Sequence, residues 1–288
     1  MVCDVAEGRT VAAEIVSRLQ SGILDLANDP AARWTLDAAG ARNAAWHFGF
    51  AVEPLAADER GVRFPADYQP ARLRSTPAEP TAHQVGLGII ARAADADDIV
   101  EIATTLRAAF ERIVVLLDGS ADDAAMLASR VPWVEVAHHP LNGDFAGQRN
   151  RLQTLLATRW VLQIDTDERP DAALLRAIGW LVAAAERDGL RSLGLPRRNL
   201  VDGVQSASYP DIQYRLNRSD IRFSGRVHER PIVPFDESSL ALAGALDHRL
   251  DGDRVRARTR IYEAMSTGAG RPEDEVLLLA PFDPIAVR

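Results

Sequence analysis

The feature that most constrains the fold is a regular alternation of short apolar runs and helical stretches between Val85 and Arg187. Val85–Ile90 (VGLGII), Ile113–Leu117 (IVVLL), Trp133–Ala137 (WVEVA) and Trp160–Ile164 (WVLQI) have the length and β-prone composition of strands. Between the first two, Asp95–Phe110 places Ile99, Ile102, Ala103, Leu106 and Phe110 on one helical face, with Asp95 as N-cap. Ala121–Arg130, Gln148–Ala157 and Asp171–Arg187 read as further helices. Strands separated by helices predict an open, largely parallel α/β sheet. Such sheets bind ligands beyond the carboxyl ends of their strands, so polar residues placed there are read first as functional.

The chain before this region is different. Val11, Ile15, Leu19 and Ile23 recur at steps of four and predict an amphipathic helix over Thr10–Leu26, with a second helical stretch around Ala31–Ala45. Phe64–Pro80 carries four prolines and little periodicity, which reads as a connector. The expected division is a mainly helical extension and connector over 1–80, then an α/β domain with a C-terminal tail over 81–288.

Composition excludes several classes. Of 288 residues 47% are hydrophobic and 26% charged, which suits a globular chain with a sizeable core and not a disordered one. Cys3 is the only cysteine, so no intrachain disulfide forms. No apolar run approaches the ~20 residues of a membrane helix, and MVCDVAEGRT lacks a secretion signal; a cytoplasmic protein without stable membrane insertion is expected. A net charge of -8 argues against a nucleic-acid partner. All 33 basic residues are arginine, which excludes a Schiff-base lysine and a P-loop lysine together.

The densest polar signal is Asp165-Thr166-Asp167-Glu168, directly after WVLQI. Residues i and i+2 of an extended segment share a face, and three clustered carboxylates repel unless a cation or hydrogen-bond donors compensate them. A divalent ion bridging to phosphate oxygens is one remedy, and a helix start favoured by the dipole is the structural alternative. Asp118-Gly119-Ser120 ends the second strand, where a carboxylate can meet a nucleobase or ribose, or simply form a turn. Gln148-Arg149 opens a helix, and the Arg149 guanidinium suits a diphosphate. Further on, Asp211, Arg215 and Arg218 stand with Gly225, His228 and Glu229 in a third polar constellation. Asp211 is a candidate base that Pro210 would stiffen and Arg215 and Arg218 would keep ionised, Glu229 is a competing base, and His228 is a candidate metal ligand.

In order, GDFAGQRNRLQTLLATRWVLQIDTDERPDAALL and YPDIQYRLNRSDIRFSGRVHE resemble the inverting family 2 glycosyltransferases of GT-A fold. The nearest branch includes lipopolysaccharide-core glucosyltransferases, and the likeness spans about residues 84–250. The resemblance implies a Rossmann-like, mostly parallel sheet flanked by helices, and a metal-dependent transfer from a nucleotide-diphosphate sugar, foremost a UDP-sugar. It places Ala91, Arg92, Asp118, Gln148, Arg149, Asp165 and Thr166 at the nucleotide. It also implies Asp167, with His228 or His248, on Mg2+ or Mn2+, and Asp211 as the base that deprotonates an acceptor hydroxyl. Where the family usually reads KNE after its first strand this chain has Arg92-Ala93-Ala94, which lacks the acidic contact, and Asn217 replaces a usual Phe. A glycan or small-molecule acceptor and assembly as a homo-oligomer stay open. The alternatives are a nucleotidyltransferase, which the missing Gly-rich basic loop opposes, and a degenerate transferase that binds a sugar nucleotide or a partner.

Overall fold

The structure is a computed structural model and describes residues 24–27, 50–54, 68–75, 85–209, 211–234, 237–241, 244–265 and 270–283. The described part of the extension is β-structure. β1 (Leu24–Ala27), β2 (Phe50–Pro54) and β3 (Tyr68–Ser75) form a three-stranded antiparallel sheet in the order β1-β3-β2. The helix expected over Thr10–Leu26 is therefore overturned at Leu24–Leu26, where the spacing of four gives way to the alternation Leu-Asp-Leu. The rest of it, and the stretch Ala31–Ala45, lie outside the described residues. The connector over Phe64–Pro80 likewise contains a strand. β1 pairs with Tyr68–Ala71 and β2 with Ala71–Ser75, so Pro70 sits where β3 has a neighbour on one side only and its missing N–H breaks no second ladder.

From Val85 the expected alternation appears as β4 (Val85–Arg92), α1 (Ala96–Leu106), β5 (Arg112–Asp118), α2 (Ala121–Arg130), β6 (Glu135–His138), α3 (Phe145–Leu156) and β7 (Trp160–Asp165). It continues through β8 (Glu168–Pro170) and α4 (Ala172–Arg187). Then come β9 (Ser192–Val201), β10 (Val204–Gln205), β11 (Asp211–Arg218), β12 (Phe223–Ser224), β13 (Arg230–Pro231), β14 (Ser238–Leu240) and β15 (Leu246–Leu250). Helices α5 (Gly252–Met265) and α6 (Pro272–Leu279) follow. One ten-stranded sheet runs β6-β5-β4-β7-β11-β9-β15-β8, with β10 and β14 also on β9. Its β6-β5-β4-β7 half is parallel throughout; β11 is antiparallel to both β7 and β9, and β15 is parallel to β9. This is the mostly parallel, helix-flanked α/β architecture that the sequence implied.

The chain moves outward from β4 through β5 to β6, then returns to place β7 on the other side of β4. That reversal opens a crevice at the carboxyl ends of β4 and β7, where Ile90 is opposite Asp165. Packing on the two faces fixes it. Leu87, Ile89, Val115, Leu162 and Ile164 meet α1 and α4 through Ile99, Ile102, Leu174 and Leu181 on one face. On the other, Leu152 and Leu156 of α3 meet Val114, Leu116 and Val161. β4 alternates large residues with Gly86 and Gly88, and a Cβ at Gly88 would lie 2.7 Å from Leu152. α3 thus packs close to the sheet because β4 presents no side chain beneath it. Asp144 accepts from Gly147 N at 2.9 Å, Ser120 from Asp123 N at 3.1 Å and Asp171 from Leu174 N at 2.8 Å, which starts α3, α2 and α4. No helix among the described residues is long and apolar enough to cross a membrane.

Candidate active site

Asp165 ends β7, Thr166 and Asp167 form the turn, and Glu168 opens β8, so this acidic run is not the start of α4, which begins at Ala172. The turn also breaks the extended geometry that would have put Asp165 and Asp167 on one face. Asp165 and Glu168 face a buried arginine cluster, and Asp167 faces β15 and α5.

Three buried guanidinium groups compensate the cluster. Arg149 reaches Asp165 at 3.2 Å and also pairs with Glu229; its side chain is 2% exposed. Arg215 bonds Asp165 at 2.7 Å and Glu168 at 3.1 Å. Arg197 bonds Glu168 at 2.8 Å and Asp211 through Nε at 3.0 Å. These three cations face four carboxylates, Asp165, Glu168, Asp211 and Glu229, so one negative charge is in excess. Burial raises the pKa of Asp165 and, with Asp165 beside it, that of Glu168, so the excess falls on this pair. Burial pushes Glu229 the same way, but the Arg149 charge and hydrogen bond outweigh it and hold the carboxyl below its ordinary value. Arg149, expected at a diphosphate, is thus locked in the interior, and Glu229 is its counter-ion.

Asp211 is opposite Arg197 across the β11–β9 ladder. Its Oδ2 accepts from Arg197 and from Asn199 Nδ2 at 3.0 Å, and Oδ1 from Gln213 at 2.6 Å. Burial raises its pKa, yet the Arg197 charge and these donors win and hold it below the carboxylate norm. The arginine that keeps Asp211 ionised is therefore Arg197, not Arg215 or Arg218; Arg215 turns to Asp165 and Glu168, and Arg218 to Asp220. Pro210 lies outside the described residues.

Asn199 links this carboxylate to the acidic turn, and sequence reading missed it. Its amide nitrogen donates to Asp211 Oδ2 and to the Ser208 carbonyl at 3.2 Å, which assigns Oδ1 as acceptor for His248 Nδ1 at 2.6 Å. His248 then carries its proton on Nδ1 and turns Nε2 to Asp167 Oδ2, 3.6 Å away. A ring lone pair facing a carboxylate needs a cation or a second proton between them. His228 is placed otherwise, edge-to-face on Tyr262 with ring centroids 5.4 Å apart, in a left-handed backbone conformation (φ 54°). Of the two histidines expected near a metal, the structure brings His248 to Asp167.

On the nucleotide side, Arg92 has a largely exposed side chain and Ala91 is buried in the core, so Ala91 offers a ligand no side chain. Asp95 is not a side-chain cap for α1. The single turn Ala93–Asp95 carries its carboxylate back to Arg92 at 2.6 Å and to the Thr166 hydroxyl at 3.1 Å. An acidic group thus stands at the crevice, one residue after the Arg92-Ala93-Ala94 stretch that lacks it; the signal was the next residue. Asp118 accepts from Leu141 N at 3.0 Å, and Gln148 donates to the His139 carbonyl at 2.6 Å. Among the described residues Gln148 Oε1 and His139 Nδ1 are buried without a hydrogen-bond partner.

Among the described residues no three His, Cys, Asp or Glu side chains converge as a metal centre. The Asp167–His248 pair nevertheless fits an ion that takes few protein ligands and completes its shell with phosphate oxygens and water, because Asn199 holds Nδ1 and directs Nε2 to Asp167.

No protein family and no curated protein matches the chain. Solved structures resemble it distantly. Residues 1–349 of TarS from S. aureus in complex with UDP align with a TM-score of 0.37 and 13% identity, over 67% of this chain and 69% of that one. A longer TarS structure gives 0.38 and 12%, over 68% of this chain and 42% of that one. Glucosyl-3-phosphoglycerate synthase from Mycobacterium tuberculosis in complex with phosphoglyceric acid gives 0.31 and 16%, over 42% and 48%. Likeness at this level assigns no activity.

Proposed function

We propose that this chain is a glycosyltransferase that moves a sugar from a nucleoside-diphosphate donor, foremost a UDP-sugar, to an acceptor hydroxyl with inversion. The observation that carries the proposal is the convergence of two kinds of group on one crevice. Asp95, Asp118 and Gln148 come from the ends of the parallel strands and the start of α3, where a nucleoside fits. Asp167, His248 and Asp211 come from the acidic turn and the antiparallel half, joined through Asn199. The motif resemblance read from the sequence supports the same assignment.

Asp167 and His248 would hold a divalent ion, and its imidazole ligand suits Mn2+ better than Mg2+. When bound, that ion supplies positive charge for a departing diphosphate. The residues do the rest. Asp211, kept ionised by Arg197, takes the proton of the acceptor hydroxyl, and attack from the face opposite the diphosphate inverts the anomeric carbon. Arg149, Arg197 and Arg215 hold the carboxylates in place and do not contact substrate.

A second reading has its own support. Each carboxylate of Asp165, Asp167 and Glu168 already has a cationic partner, which suits a protein that binds a sugar nucleotide without turnover. A thermal-shift screen of UDP, ADP, GDP, CDP and dTDP, each with and without Mn2+, tests binding, because ligand binding to the native state raises the melting point. Hydrolysis of the matching nucleotide sugar then separates enzyme from binder. No shift with any nucleotide defeats both readings.

A further inference from the structure

The counter-charges around the acidic turn are of two kinds. Arg149, Arg197 and Arg215 are interior, with side chains 2%, 8% and 8% exposed; Arg149 and Arg197 each serve two carboxylates and Arg215 three. Turning any of them toward a ligand would strand a buried carboxylate. Arg254 differs. Its Nη2 lies 2.9 Å from Asp167 Oδ2 while its side chain is 47% exposed, and among the described residues this is its one ion pair. Asp167 is mostly buried on its side of this pair and keeps His248 beside it when Arg254 leaves, so only the Arg254 half is open to solvent and able to turn outward.

The backbone beneath Arg254 is firmly placed. Arg249 N donates to the Asp167 carbonyl at 2.8 Å, and His248 is opposite Glu168 in the β15–β8 ladder. Asp251 accepts from Arg254 N at 2.6 Å, and the neighbouring Val255 is buried against Leu250 and Leu278. A fixed Cα with a long, half-exposed stem lets the guanidinium move a few ångströms without moving α5. The other exposed arginines at this edge are held differently. Arg92 makes three contacts to Asp95, and Arg249 faces Glu101 of α1.

We infer that Arg254 is the exchangeable counter-charge of the diphosphate subsite: it rests on Asp167 in the free protein and transfers its guanidinium to the diphosphate oxygens of the bound nucleotide. The inference rests on the nucleoside-diphosphate reading above. Guanidinium matches phosphate geometry in two parallel hydrogen bonds, and a diphosphate carries more charge than one carboxylate, so the exchange favours the ligand. It also gives the subsite the arginine that Arg149, locked with Glu229 and Asp165, cannot supply.

The test is calorimetric binding of UDP and of inorganic pyrophosphate in EDTA, so that no ion contributes. Wild type is compared with Arg254→Ala, Arg254→Lys and Arg256→Ala. Arg256 pairs with Asp253 at 3.0 Å on the same helix and controls for loss of one charge without loss of the Asp167 contact. The expected result is a loss of about tenfold or more for both ligands in Arg254→Ala, with part of the affinity kept by lysine. Arg256→Ala should stay within about twofold of wild type, as expected of a distant, screened surface charge. Arg254→Ala indistinguishable from Arg256→Ala overturns the inference and leaves the transferase reading standing. So does a variant that gains Mn2+ affinity at unchanged UDP affinity, since Arg254 would then only compete with the ion. UDP binding by wild type that appears only with Mn2+ also overturns the inference. A wild type that binds none of UDP, ADP, GDP, CDP and dTDP, with or without Mn2+, defeats the transferase reading itself, and the inference with it.

Discussion

Asp211 and Glu229 are both carboxylates of the polar constellation read from the sequence, and their surroundings separate them. Asp211 is reached from solvent at its edge, and its Oδ1 has one donor, Gln213, so a lone pair remains for an acceptor hydroxyl. Asp211→Asn should keep nucleotide binding and lower single-turnover transfer by about 10²–10⁴-fold, the usual share of a general base. Because its folded pKa is depressed, the pairing with Arg197 stabilises the native state above pH ~4 and is lost as pH falls through the folded value. Glu229→Gln should instead fail as a structural change. It removes a partner of the buried Arg149, a type of loss worth about 3 kcal/mol, visible in chemical denaturation at neutral pH. A stable Glu229→Gln that cannot transfer, beside an active Asp211→Asn, would move the base to Glu229. Asn199 makes a third, separable case. Asn199→Leu keeps the volume and removes the acceptor that sets the His248 tautomer, so Mn2+ affinity should fall about 10–100-fold, as outer-shell losses do, with the change read by Mn2+ titration. Unaltered Mn2+ affinity would show that His248 does not face the ion.

At the level of elements, the two halves of the sheet differ in how their sequences advertise them. β4, β5 and β7 are buried on both faces, so they read as continuous apolar runs, and α1, α2 and α4 show clear periodicity. β9, by contrast, reads Ser-Leu-Gly-Leu-Pro-Arg-Arg-Asn-Leu-Val, and its polar positions Arg197 and Asn199 are buried because they hold Asp211, Glu168 and His248. Chemistry there replaced the hydrophobic signal, which is why the strand and its site residues escaped sequence reading together. Asp118, Asp165, Asp167, Asp211 and His248 stand out in the sequence as candidates because strand ends and motif order announce them. The partner of each charge was not, since pairing across β9, β11 and β15 depends on register. Arg149 follows the expected motif, but from α3 its side chain turns inward to Asp165 and Glu229. The close approach of α3 to β4 yields a direct check. Gly88→Ala inserts a methyl 2.7 Å from Leu152 and 2.8 Å from Leu156, and overpacking of this kind should cost about 2 kcal/mol in denaturant unfolding. A neutral result would mean that α3 can lift off the sheet, and with it Gln148 and Arg149.

Across the whole molecule, the question is whether the chain before residue 81 belongs to the same cooperative unit as the crevice. The ten-stranded sheet includes none of β1, β2 and β3, which among the described residues pair only with one another. β4 enters the middle of the large sheet at Val85, with β5 and β7 filling the ladders on its two sides. The apolar clusters that fix the crevice are drawn from Val85 onward among the described residues. A sheet whose ladders and core close within 81–288 carries its own driving force for folding, because burial of its faces does not wait on an external element. A protein beginning at residue 81 should therefore be soluble, unfold cooperatively and bind nucleotide as the full chain does. Its melting point should lie within a few degrees of the full-length value, since surface pieces outside a core shift stability by about 1 kcal/mol or less. Full transfer activity is expected to need the extension, whose three described strands form a sheet of their own. The measurement is paired: calorimetric unfolding and UDP titration of both proteins. Loss of folding in the shortened chain would show that the extension completes the core, and the division at residue 80 would be wrong. Equal folding with equal transfer would leave the extension outside catalysis altogether.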